Sequence, residues 1–191
     1  MKKWLVVAGL AAALALPALA DTTEWSIDPN HANAQFFVKH LGISTVQGEF
    51  TKVTGTVTID NDDITKSTVD VTIPADTVYT RVAMRDNDLK SQHFLDVAEY
   101  STITFKSTKI TKTGDDTYDV DGNLTIRGVT KPVTLKVSDL SKPIDVKAMG
   151  GWRRGASAET TINRQDFGVA ADPGMIGDQI HILIDLEMTH K

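Results

Sequence analysis

The sequence predicts an all-β protein: an antiparallel sheet of about eight strands, closed as a barrel or folded as a sandwich, with one short helical insert. Three observations predict it. From Asp21 onward apolar residues recur at every second position, not at the roughly 3.6 spacing of a helix. Turn-forming clusters separate those runs. No repeat or low-complexity linker divides the chain, so residues 21–191 read as one domain.

Residues 1–20 stand apart. Lys2 and Lys3 form a short positive segment, Trp4 to Leu16 is an apolar run, and Pro17-Ala18-Leu19-Ala20 ends in the small-x-small pattern cut by signal peptidase. The run is shorter than the ~20 residues a spanning helix needs. A cleavable signal peptide is expected, with Asp21 as the mature N-terminus; an uncleaved anchor is the other reading. Without Lys2 and Lys3, 18 of the 20 basic residues remain against 25 acidic ones. That balance argues against nucleic acid as a partner, because phosphates require a cationic face. There is no cysteine, which excludes disulfides, thiolate chemistry and an acyl anchor on cysteine. An exported chain of this kind is stable through its core alone, and it is long enough to bury one.

The alternation runs in order along the chain. Ala34, Phe36 and Val38 alternate with Gln35, Phe37 and Lys39. Val53, Gly55, Val57 and Ile59 alternate with threonines, as do Val69, Val71 and Ile73 with Thr68, Asp70 and Thr72. Ile103 and Phe105 come next, then Tyr118, Val120, Gly122, Leu124 and Ile126. Val133, Leu135 and Val137 follow, and the last run is Ile180, Ile182, Ile184 and Leu186. Each strand therefore has one apolar face and one wet face, the latter rich in threonine. Asp60-Asn61-Asp62-Asp63, Gly114-Asp115-Asp116 and Asp172-Pro173-Gly174 supply reversals.

Two stretches break the pattern. After Ile73-Pro74 the alternation stops, and Thr80 is placed to cap a short helix over Arg81–Leu89. Lys142 to Gly151 reads as a long loop. The inward residues are mostly valine and isoleucine. A closed barrel lined by side chains of that size would be hollow and suited to a ligand, whereas a packed sandwich would have no cavity. Alternation alone leaves both open.

Catalytic and metal motifs are absent. The five histidines lack zinc spacing, and His93-x-x-Asp96 has no third ligand nearby. Asp60–Asp63 lacks the glycine and glutamate of a calcium loop. No nucleophile elbow or phosphate cradle occurs. No catalytic residue, metal or cofactor is assigned. In the insert, Arg81, Arg85, Asp86 and Asp88 could grip the head of an amphiphile, or Arg85 and Asp86 could simply fasten the loop.

The order of several blocks resembles the YceI family. Trp25-Ser26-Ile27-Asp28, His31 with Phe36-x-Val38-x-His40, and Gly48-Glu49-Phe50 come first. Arg85-Asp86-x-x-Leu89-x-Ser91-x-x-Phe94-Leu95-Asp96 and Gly122-Asn123-Leu124-Thr125-Ile126-Arg127-Gly128 follow, and Ile162-Asn163-Arg164-x-Asp166-Phe167-Gly168 completes the series. The resemblance implies an extended lipocalin-like barrel, usually periplasmic. It also implies a pocket for a polyisoprenoid or fatty-acid-like chain, roles in quinone handling and stress response, no established enzymatic activity, and homodimers among relatives. Asp88 stands where a histidine is common in that family, which disfavours a phosphate head and suits a neutral, quinone-like one.

The expected function is sequestration of a long apolar ligand. An enzyme acting on a lipid in the same pocket is the alternative, its mark a histidine beside a buried carboxylate inside the barrel. Expected lining residues in the first half are Phe36, Val38, Phe50, Val57, Val71 and Ile73. Met84, Leu89 and Phe94 come from the insert, and Phe105, Leu124, Phe167, Ile182 and Ile184 from the second half. Arg81 and Arg85 are the candidates at the head group.

Overall fold

The structure is a computed structural model in which residues 21–191 are described; the expected signal peptide lies outside them. The first strands are β1 (Thr22–His40), β2 (Ser44–Phe50), β3 (Thr54–Asp60), β4 (Thr68–Pro74) and β5 (Val78–Tyr79). The helix α1 (Ala83–Lys90) comes next. Then follow β6 (Thr102–Gly114), β7 (Thr117–Ile126), β8 (Val129–Ser138), β9 (Ile144–Val146), β10 (Gly151–Asn163) and β11 (Ile176–His190).

Eight of these strands close a ring. The order runs β1-β3-β4-β6-β7-β8-β10-β11, and β11 pairs back onto β1. Every pairing is antiparallel, so the predicted eight-stranded barrel is what the chain forms. Closure leaves the ring without an unpaired edge. β1 is long enough to serve three neighbours. Its first part, Thr22 to Ser26, pairs β3, its last part, Ala34 to His40, pairs β2, and both parts pair β11. The switch falls at a bulge between Ile27 and Ala32, where Pro29, which has no N–H to donate, is tolerated.

β2, β10 and the start of β1 were not marked by the alternation. On β10 the cavity-facing residues include Ala156, Ala158 and Thr160, too small or too polar to register as an apolar stripe. The expected loop at Lys142–Gly151 contains β9 and a 3₁₀ turn at Lys147–Met149. The reversals sit where turn chemistry placed them. At Asp60 the carboxylate accepts from the N–H groups of Asp62 and Asp63 at 3.1 and 2.8 Å, an ordinary turn and not a calcium loop.

The helix differs in its start. It begins at Ala83 with Val82 as an N-cap that makes no side-chain bond. Thr80 does not cap it. Instead Asp86, one turn inside the helix, accepts from the buried Thr80 N–H at 2.8 Å and from its hydroxyl. Arg85 donates to the Thr80 hydroxyl and carbonyl at 2.8 and 2.9 Å. The helix is thus fastened from within, because Thr80 is buried against Gly48 of β2 and needs its polar groups satisfied.

Candidate ligand-binding site

The barrel is hollow. Its inward faces enclose one cavity of about 920 Å³, lined mainly by apolar side chains. That volume lies near the top of the ~300–1,000 Å³ range of ligand pockets. Ile180, Ile182 and Ile184 face inward yet are only half-buried, as befits a wall facing empty space. The packed sandwich is excluded by this geometry.

The cavity is long. On β11 its wall runs from Ile176 to Met188. At roughly 3.3 Å per residue and a strand tilt of about 40°, that is roughly 30 Å along the barrel axis. At the other end of β1, Trp25 and Ile27 are buried without lining the cavity, so protein atoms fill the barrel there.

Of the residues nominated from the sequence, all but Arg81 lie on this wall. Phe36, Val38 and Phe50 come from β1 and β2, with the Phe36 and Phe50 rings 5.9 Å apart and tilted by 49°. Val57, Val71, Ile73, Phe105 and Leu124 descend through β3, β4, β6 and β7. Ile182 and Ile184 line it from β11, and Phe167 from a 3₁₀ turn at Arg164–Phe167. Met84, Arg85 and Leu89 reach it from α1, and Phe94 from the segment after it. Arg81 does not. It adopts a left-handed φ of 67°, which turns it outward to donate to Gln47 Oε1 at 3.2 Å.

The charged lining residues are Lys39, His40, Arg85, Asp88, Arg164 and Asp172, and they gather at one end. Contacts between chain segments define that end as a mouth. Leu41 N–H, in the β1–β2 turn, donates to Met175 O at 2.6 Å. His93 lies between Asp88 of α1 at 3.2 Å and Asp172 at 3.7 Å. Arg81 ties the entry to α1 onto β2. Arg164 is the member that sequence reasoning missed as a fastener. Only 4 % exposed, it donates to the carbonyls of Gly177, Val169, Ala171 and Ile176 and to Asp178, bracing the loop over Phe167. Its place in the Asn163-Arg164-x-Asp166-Phe167-Gly168 block was the only signal.

Among the described residues, no histidine adjoins a buried carboxylate inside the barrel. The buried acids are Asp60 and Asp86, held by the turn and by Thr80. Asp28, His31 and Glu187 form a group on the outer wall that could hold a metal. Its members already have partners: His31 Nδ1 is 3.0 Å from Asp28, and Arg153 is 3.4 Å from Glu187, a cation where an ion would need none. The hydrogen bond to Asp28, with the nearby Glu187 charge, raises the His31 pKa above its ordinary value. The backbone N–H of Asn30 and the His31 ring together lower that of Asp28.

Known proteins share this architecture. A protein named YceI from Salmonella arizonae is 39 % identical over 98 % of this chain and 97 % of its own length. The crystal structure of Burkholderia cenocepacia BcnA superposes with a TM-score of 0.76 at 21 % identity, covering 84 % of this chain and 98 % of that one. A polyisoprenoid-binding domain from Saccharophagus degradans, implicated in plant cell wall breakdown, has a TM-score of 0.64 at 15 % identity, covering 87 % and 98 %. The YceI-like domain matches residues 25–188, which takes in the closed ring, the mouth and the buried Arg164, and by that match together with the identity to its relatives the chain belongs to the YceI-like family.

Proposed function

We propose that this protein is exported to the periplasm, where it binds a long isoprenoid lipid with a neutral, quinone-like head and catalyses no reaction. The observation that carries the reading is the shape and polarity of the cavity: an apolar tunnel roughly 30 Å long, its charged groups confined to the mouth. A tail inserted there exchanges water for valine, isoleucine and phenylalanine side chains. Each methylene removed from water contributes about 0.8 kcal/mol, so each prenyl unit contributes several, against the entropy lost on association. The mouth presents Lys39 and Arg85 beside Asp88 and Asp172. This mixture suits a neutral head with hydrogen-bond acceptors better than a phosphate, which the two carboxylates would repel. The family relationship and the fold shared with a polyisoprenoid-binding domain support the ligand class. The leader over residues 1–20 supports export.

Binding without turnover is the simpler chemistry for these side chains. The nearest approach to an acid–base pair, His93 with Asp88 and Asp172, is half-exposed at the rim and away from the tail. The test is native mass spectrometry of protein purified without added lipid from quinone-containing cells, followed by solvent extraction. A bound mass that resolves into a prenyl-chain lipid is expected. A clean apo mass would sink the reading.

A further inference from the structure

The β1–β2 turn carries apolar residues at a place where a hairpin normally puts polar ones. Leu41 and Gly42 both have positive φ, 52° and 70°, and Ile43 N–H closes the turn on His40 O at 3.1 Å. A turn whose two central residues both have positive φ favours asparagine or aspartate followed by glycine, since a leucine there is strained. Strain retained in an exposed turn directs attention to what the side chain does outside the fold. Leu41 is 49 % exposed and Ile43 84 %.

They are not alone. Met175, 50 % exposed, stands beside them, fixed by the Leu41 N–H to Met175 O bond. Met84 and Val82, at the start of α1, are 82 % and 43 % exposed. Each of these residues belongs to a segment of the mouth. Met84 itself lines the cavity, His40 and Ser44 flank the turn, and Ile176 follows Met175. Apolar side chains scattered singly over a surface need no explanation, but these form a collar around one opening.

We propose that this collar docks the barrel, mouth first, on the surface of a lipid bilayer. The proposal rests on the reading of the cavity as a lipid site. A prenyl chain resides in a bilayer, and a mouth pressed into the interface gives it an apolar path that avoids water. The collar is of the right kind: separate aliphatic and thioether side chains at the tips of turns, able to enter the headgroup boundary by some 5–10 Å. Basic residues accompany it on an otherwise acidic chain. Lys39, Arg81, Arg85 and Lys90 all lie on the mouth segments, while the acids there are engaged: Asp86 is buried and holds Thr80, Asp88 and Asp172 face His93, and Asp178 accepts from Arg164 and Gln165. That distribution favours an anionic lipid surface.

The experiment is flotation of the purified protein with vesicles of phosphatidylethanolamine and phosphatidylglycerol. Wild type is expected to float with them. Leu41→Asn/Ile43→Ser/Met175→Ser removes three of the five collar side chains without touching a lining residue, and asparagine relaxes the turn, so folding is kept. It should lose on the order of tenfold or more in vesicle partitioning. Its circular dichroism and its co-purified lipid should be unchanged, and its transfer of a fluorescent prenyl probe between vesicles should slow in parallel. Ile144→Ser/Met149→Ser, exposed at the opposite end of the barrel, should float like wild type. Wild type that stays with the soluble fraction, or a collar variant that floats as well as wild type, overturns the proposal. So does a collar-dependent dimer in sedimentation velocity without vesicle binding. Extracted lipid separates the two claims: an empty wild-type protein that floats through its collar supports docking and removes the ligand, whereas a loaded one that does not float does the reverse.

Discussion

Thr80 is 2 % exposed, and its amide and hydroxyl both depend on Asp86, with Arg85 bonding its hydroxyl and carbonyl from the other side. Removing an acceptor here leaves a buried donor unpaired, which costs about 1–3 kcal/mol. Asp86→Ala is therefore expected to lower the urea midpoint by an amount equivalent to that figure at unchanged slope, with Asp86→Asn losing less because one carbonyl acceptor remains. A loss below the error of the fit would show that the knot is ornamental. These roles were half-legible. Arg85 and Asp86 stood out as charged neighbours in the insert, and fastening was one of their two readings. Arg81 was placed with them because sequence proximity says nothing about φ. One left-handed residue sends its side chain to the outer face of β2.

At the scale of elements, the inner wall is shaped by two glycines that lie under aromatic rings. A Cβ on Gly48 would meet Phe36 Cζ at 2.3 Å, and one on Gly122 would meet Phe105 Cζ at 2.3 Å. Each ring packs over the glycine of a neighbouring strand, in space that a side chain there would take. At Gly122 the clash extends to the backbone, with Lys106 O at 2.6 Å, so side-chain rotation alone does not relieve it. Gly122→Ala is expected to destabilise by about 1–3 kcal/mol, the usual range for overpacking. It should also reduce the lipid carried per protein, as the Phe105 ring swings into the tunnel. Differential scanning calorimetry and lipid extraction check the two halves separately. The strands that bear these glycines divide in legibility. β7 alternates plainly through Tyr118, Val120, Leu124 and Ile126, whereas β2 offers only Val46, Gly48 and Phe50 and left no stripe to read.

The whole molecule is a closed ring around empty space, and its stability is linked to what fills it. A ligand that binds only the folded state adds about 2.7 kcal/mol at a free concentration a hundredfold above Kd. Delipidated wild type is expected to unfold at a lower temperature than the protein as purified and to recover when a prenyl lipid is added. Ile182→Trp places a large ring opposite Phe36, its register partner on β1, and across the tunnel. This variant should fold, carry little lipid and show almost no difference between purified and delipidated forms. Equal loading of the variant and wild type would place the lipid elsewhere.

The sequence by itself determined the class of fold and the facing of most strands, because a period of two assigns each side chain to one face whatever the strands pair with. It also marked the turns and the insert, whose residues carry their own local chemistry. What only the tertiary structure decided was whether the inside was full. Lumen and core present the same alternation, and the difference lies in the radius at which the ring closes. That radius is set by β11 pairing onto β1 across almost the entire length of the chain. The same closure brings Leu41 to Met175 and His93 to Asp172, so the mouth has no counterpart in any single stretch of residues.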